Sequence, residues 1–361
     1  MRHIKSTVGL PEAYEKSKNR IVNVAVIDSG LSSYMNIRLS ERITAGRSYY
    51  FTENSIDISD EYLDSCIHGT ACVSLISRIS PNAHFYIIKI LNKDGRTSGS
   101  MLLNALHDLK NSNIKVINLS LATKSTEYLS KMEKICRELC NEGKVLLASQ
   151  ANNFTGGTYP AFFDSVIGVE GGDFYNRDTY WFDRSKPIQC IADGTPLITQ
   201  IDDEHIFFKG NSKANALLTS KVANIIAYNS NDMDYYEICN VLENNAARNS
   251  WNQNDVTGMR NVKMYPPDEA LSSVLIKKME KVLMDFFKIS SVNRDVLQSC
   301  MYDKYTGFKV GNCTGLLKFL KNELKIEINY ENISILDFYN IESLCSAIYR
   351  KWTRSGYEEI I

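Results

Sequence analysis

From residue 21 onward, short runs rich in Val, Ile and Leu recur between longer stretches of mixed polarity, and this alternation narrows the fold more than any other feature of the chain. Residues 21–27, 85–90, 116–121, 145–149 and 166–169 read as strands buried on both faces. Between them the segment after His68, then 99–110, 125–141 and 212–228, have the length and pattern of helices. Strand and helix in alternation predict an α/β domain, a doubly wound, mainly parallel sheet with helices on both faces. A ligand site in such a sheet belongs beyond the carboxyl ends of its strands.

The 361 residues exceed one comfortable core, so a second, smaller domain is expected. A polar, turn-rich region over 244–268 contains Pro266-Pro267 and marks the boundary, giving domains 1–262 and 263–361. Beyond it Leu275, Met279, Val282, Leu283, Phe286 and Phe287 recur at helical spacing. A second stripe follows at Leu316, Leu317, Leu320 and Leu324, so the tail is expected to be a small all-α bundle.

Lys and Arg total 41 against 42 Asp and Glu, which removes the usual electrostatic argument for a nucleic-acid or anionic-membrane partner. The first twenty residues are polar, and no run approaches the length that crosses a bilayer; a cytoplasmic protein is expected. Nine cysteines without CxxC spacing suggest neither a disulfide framework nor a zinc cluster. Cys136 and Cys140, one helical turn apart, read as small apolar residues on a helix.

Three stretches carry candidate chemistry. Residues 24–30, VAVIDSG, run an apolar strand into Asp28, where a carboxylate can orient an imidazole; taken alone it is as readily a turn former or helix cap. His68 opens the stretch HGTACVSLI and is a natural general base near neutral pH, although a lone histidine is usually structural. Ser212, in GNSKANALLTSKVANII, stands where a helix begins. A hydroxyl there faces free backbone N–H groups and suits a nucleophile whose attack creates an oxyanion, or simply caps the helix.

Taken together and in this chain order, these stretches resemble the subtilisin-like serine peptidases, as do PNAHFYIIKILNKDG, VINLSLA and YPAFFDSVIGVEG between them. The likeness covers residues 21 to about 230. It implies Asp28 as orienting carboxylate, His68 as general base and then acid, and Ser212 as nucleophile of an acyl-enzyme. It further implies an oxyanion donor after the strand at 145–149, placed at Asn152, with Asn153 one register away. Peptide or protein substrate would add as a strand at Ser98, Gly99 and Ser100 and along Leu119, Ser120, Leu121 and Ala122. Ala122 and Thr123 stand where relatives commonly carry glycines, which narrows the first pocket toward a small or slender side chain.

Asn211 and Ala216 replace the usual Thr and Pro around the nucleophile, and Ala71 and Cys72 follow His68. The interval from His68 to Pro81 holds no carboxylate, so the calcium loop of many relatives is not expected; no metal and no cofactor are expected. With only about twenty residues before the first strand, an inhibitory propeptide is not expected. The tail resembles the second half of an acyl carrier protein, with the prosthetic serine's position falling near Val310 and no serine between Thr306 and Lys325. These features suggest an endopeptidase that trims a ribosomal precursor peptide, with a maturation partner docking on the tail. The rivals are a catalytically idle peptide-binding scaffold and acyl transfer to an amine.

Overall fold

The computed structural model describes residues 20–53, 55–151, 156–174, 178–201, 204–229, 231–252, 254–256, 273–290, 295–302, 306–328, 330 and 333–353. Contacts gather the chain into two compact units. The first comprises Met1–Gly172, Arg177–Gly194 and Gly210–Asn252; the second comprises Asp173–Asn176, Thr195–Lys209 and Gln253–Ile361. The linear division expected at residue 262 lies outside the described residues.

The first unit is built on strands β1 (Val22–Asp28), β2 (Ile43–Phe51), β3 (Ile56–Ser59), β4 (Ala83–Lys89), β5 (Val116–Leu119), β6 (Val145–Ser149), β7 (Val166–Gly172), β8 (Tyr180–Phe182) and β9 (Cys190–Asp193). They form one sheet in the order β3-β2-β4-β1-β5-β6-β7-β9-β8. The outermost pairs β2/β3 and β8/β9 are antiparallel, and every pairing between β2 and β9 is parallel. The strand order turns back beside β1, the position at which such sheets open a crevice at their carboxyl edge.

Successive residues of a strand face opposite sides, and both sides here are covered. Ala25, Ile27, Leu119 and Leu146 join a core with residues of α3 (Gly99–His107) and α4 (Leu129–Asn141), among them Leu106 and Ile135. On the alternate face Asn118 donates to Thr219 Oγ1 at 2.8 Å, tying β5 to α5 (Gly210–Tyr228), which packs beside α2 (His68–Ile79). Helix α5 is buried nearly all round, so it runs through the core and lacks the exposed polar face of a surface helix.

The second unit combines helices at Ser273–Phe287, Asp295–Ser299, Cys313–Leu324 and Ile341–Thr353, and to these it adds an antiparallel hairpin of β10 (Leu197–Ile201) and β11 (Glu204–Phe208). Ile198 of the hairpin shares a core with Met279, Leu283, Leu316, Leu320 and Leu344. Its backbone is tied in as well, Ile198 N–H donating to Ile333 O at 2.9 Å and Ile335 N–H to Pro196 O at 3.1 Å. No described helix is long and apolar enough to cross a membrane.

Candidate active site

Asp28 closes β1 and is 1% exposed. Its Oδ1 accepts from the Ser29 N–H at 2.7 Å, and its two oxygens stand 2.8 and 3.0 Å from His68 Nδ1. A carboxylate so placed fixes the tautomer: with Nδ1–H donated to Asp28, the basic nitrogen of the neutral ring is Nε2. The Asp28 charge raises the His68 pKa against the opposing effect of burial, and the hydrogen bond to Asp28 and the charge of Asp64 act in the same sense as Asp28.

His68 is the first residue of α2, and the turn that delivers it is built around Asp64. Asp64 Oδ1 accepts from Ser29 Oγ at 2.7 Å, Cys66 N–H at 2.9 Å and Ile67 N–H at 2.8 Å, and Oδ2 accepts from both the N–H and the hydroxyl of Thr70. Burial alone would raise its pKa. The hydrogen bonds from Thr70, Cys66 and Ser29 outweigh that effect and hold the carboxyl below its usual range. Gly69 lets this helix start approach β1: a Cβ there would stand 2.4 Å from Gly30 O and 3.1 Å from Asp28 Cβ. Sequence reasoning passed over Asp64; its signal was a carboxylate four residues before a histidine that opens a helix.

Ser212 is the third residue of α5, inside the first turn, so it does not hold the N-cap position that its alternative role required. The side chains on either side of it reach into the sheet. Asn211 Oδ1 accepts from Gly171 N–H and its Nδ2 donates to Gln150 O, both at 2.8 Å. Lys213 Nζ lies 2.7 Å from Asp193 Oδ2 at the end of β9. The backbone around Ser212 is thereby anchored to the carboxyl ends of three strands, a function for Asn211 and Lys213 that the sequence did not disclose.

Asn152 and Asn153, the expected oxyanion donors, lie outside the described residues. Among the described residues on either side, Ala151 N–H donates to Thr158 Oγ1 at 3.1 Å, and Gln150 Nε2 donates to Gly156 O at 2.8 Å.

His68 and Ser212 line one cavity of about 690 Å³, and so do Ser98, Gly99, Ser120, Leu121 and Ala122 from the expected substrate edges. Leu119 and Ser100 are not on its wall. Leu119 is wholly buried, its carbonyl accepting from Asn215 Nδ2 at 3.2 Å, and Ser100 Oγ stands 2.9 Å from Ser98 Oγ. Ser98 also caps α3, accepting from Met101 N–H at 3.1 Å. Thr123 exchanges two backbone hydrogen bonds with Tyr159, which fixes the far end of the Leu121–Thr123 wall.

Among the described residues, Asp28, His68 and Cys72 place ligand atoms within 4.8 Å of one another. Cation binding would need the Cys72 thiolate, but complete burial, reinforced by the Asp28 charge, pushes that thiol well above its ordinary pKa. The same Asp28 and His68 atoms are engaged with each other. The grouping therefore suits proton relay better than metal binding.

A sequence model of the subtilase family matches residues 19–261. Similar proteins include a thermophilic serine proteinase of Bacillus sp. (strain AK1), 25% identical over 223 residues, 58% of this chain and 53% of that protein. A thermostable alkaline protease of Halalkalibacterium halodurans is 26% identical over 215 residues, 56% of this chain and 55% of that protein. Subtilisin E of Bacillus subtilis (strain 168) is 27% identical over 195 residues, 49% of this chain and 47% of that protein. The chain thus spans about half the length of the curated relatives it matches. The family match covers more than half of the chain itself and runs through every element that carries Asp28, His68 and Ser212: the chain belongs to the subtilase family.

Proposed function

We propose that the protein is a serine endopeptidase. The observation that carries this reading is the bond from His68 Nδ1 to the buried Asp28 carboxylate on a cavity whose wall also holds Ser212. In the proposed cycle His68 Nε2 takes the Ser212 hydroxyl proton as Oγ attacks a peptide carbonyl. The imidazolium, held by Asp28, then returns that proton to the leaving amine, and water releases the acyl group by the same path. Asn152 is assigned as the side-chain donor to the oxyanion, with Asn153 the alternative. Substrate lies along Ser98–Gly99 and Ser120–Ala122 as an added strand, its affinity coming from main-chain pairing and its selectivity from pockets. Incubating the protein and its Ser212→Ala variant with a denatured protein substrate tests this. Cleavage by the first and none by the second is expected; peptide binding without cleavage by either would favour an idle scaffold.

Within that activity the substrate is assigned as a ribosomal precursor peptide, trimmed in the cytoplasm, with the second unit as the docking module for a maturation partner. Nine free cysteines accord with a reducing compartment. The acyl-carrier likeness of the tail is supported by Val310, 42% exposed, in the turn that leads into the helix Cys313–Leu324, where a carrier bears its prosthetic serine. Val310→Asp is expected to slow cleavage of a co-encoded precursor while leaving a short peptide's rate alone; equal effects on both would remove the docking role.

A further inference from the structure

A second cavity, of about 570 Å³, adjoins the one that holds His68 and Ser212, and the two share Leu91, Lys93, Arg96, Thr97 and Ser98 as a common rim. Its inner wall is apolar, with Tyr49, Ile90 and Met101 each less than a tenth exposed. The titratable groups of opposite character are unevenly placed. Lys89, Lys93 and Arg96 line it and, among the described residues, no carboxylate does; Asp94, on the neighbouring cavity, is the acid in the chain segment that forms the rim.

The basic side chains are presented by a fixed turn. Asn92 Oδ1 accepts from the N–H groups of Asp94 and Arg96, both at 3.0 Å, and Asn92 N–H donates to Arg96 O at 2.9 Å, with Gly95 at φ 68° closing the turn. Lys89 Nζ is steered by a bond to Leu63 O at 2.6 Å. Lys93 and Arg96 are exposed and enter no ion pair with a described residue. Two cations without an ion-pair partner among the described residues stand beside an apolar wall, on the rim shared with the cavity that holds His68 and Ser212, and together they offer a receptor for an anionic side chain with an aliphatic stem.

We propose that this cavity is a specificity subsite, resting on the peptidase reading above, and that it selects an acidic residue, Glu above Asp, in the substrate a few positions from the cleaved bond. A Glu carboxylate would meet Lys93 and Arg96 while its methylenes lie on the apolar wall, whereas a Lys would bring like charge to the same rim.

The test measures binding, so it does not depend on turnover. Fluorescein-tagged decapeptides of Ala and Leu, with a single Glu, Gln or Lys walked along them, are titrated into the full-length Ser212→Ala protein at low ionic strength. At one position Glu is expected to bind roughly tenfold more tightly than Lys, the preference shrinking as salt is raised. The double variant Lys93→Glu/Arg96→Glu, checked for an unchanged thermal midpoint, should invert the order. Equal affinity for Glu and Lys at every position, or an acidic preference that survives the double variant, overturns the subsite. Neither outcome bears on whether Ser212 is a nucleophile, which is read separately by covalent labelling of the wild-type chain.

Discussion

Lys213, the residue after the proposed nucleophile, places its ammonium 2.7 Å from the Asp193 carboxylate with both side chains wholly removed from solvent. An apolar residue could have filled that volume. The pair instead ties the first turn of α5 to the end of β9, each buried charge facing the opposite charge of the other.

Removing one partner should therefore cost far more than removing both. Lys213→Met or Asp193→Asn alone is expected to destabilise the protein by about 3–5 kcal/mol, and Lys213→Met/Asp193→Leu by clearly less. Urea unfolding of the four proteins checks this; single variants as stable as wild type would show that the pair is compensated elsewhere.

Asp28 raises the pKa of His68, so the imidazole sheds its proton only above its ordinary value of 6.5. The acid limb of kcat/KM is expected above that pH, and Asp28→Asn should move it downward while lowering turnover by roughly four orders of magnitude. The stability contribution has the opposite dependence. A group whose folded pKa is raised stabilises fully below the unfolded value and loses that contribution as pH rises through the folded one. Wild type and Asp28→Asn should accordingly differ more in stability just below pH 6.5 than well above it.

Asp64 never needs to touch substrate to matter. With the carboxylate replaced in Asp64→Asn, at least one of the donors on Thr70, Cys66, Ile67 or Ser29 loses its acceptor, at about 1–3 kcal/mol for each donor left unsatisfied. Because the folded pKa of Asp64 is lowered, its contribution is complete above the ordinary value of 3.8 and is lost as pH falls through the folded one. Acid titration of unfolding should show a stability decline in wild type that Asp64→Asn lacks, and kcat of the variant should fall more than KM rises.

Much of the sheet was legible because parallel strands buried on both faces leave continuous apolar runs; β5 and β6 announce themselves in this way. The flanking strands did not. β3, four residues with an Asp at its second position, and β8, whose Tyr-Trp-Phe run is only three residues long, are each held by pairing to one neighbour and are too short or too polar to stand out as strands. The hairpin at 197–208 was missed for a related reason: its place in the second unit rests on Ile198 entering a core whose other members lie more than eighty residues away. Asp28, His68 and Ser212 are proposed from short motifs and their order, which the sequence shows directly. The anchors at Asn211 and Lys213 depend on partners up to 61 residues distant, such as Gln150 for Asn211, and no spacing rule exposes them.

Asn211 supplies a sharper kinetic test of that anchoring. Asn211→Ala would release the backbone before Ser212 from both Gln150 and Gly171, and a displacement of the nucleophile by a fraction of an ångström to an ångström is expected to lower kcat on the order of a hundredfold with little change in KM. A rise in KM at constant kcat would instead place Asn211 in substrate binding.

The central claim is that Ser212 is a nucleophile activated by His68, and a fluorophosphonate probe reads it without knowledge of the substrate. Mass spectrometry of the labelled wild-type protein should find a single covalent adduct on the peptide containing Ser212, strongly reduced in His68→Ala and absent in Ser212→Ala. A folded wild-type protein that takes no label, or one labelled equally well without His68, would contradict the account.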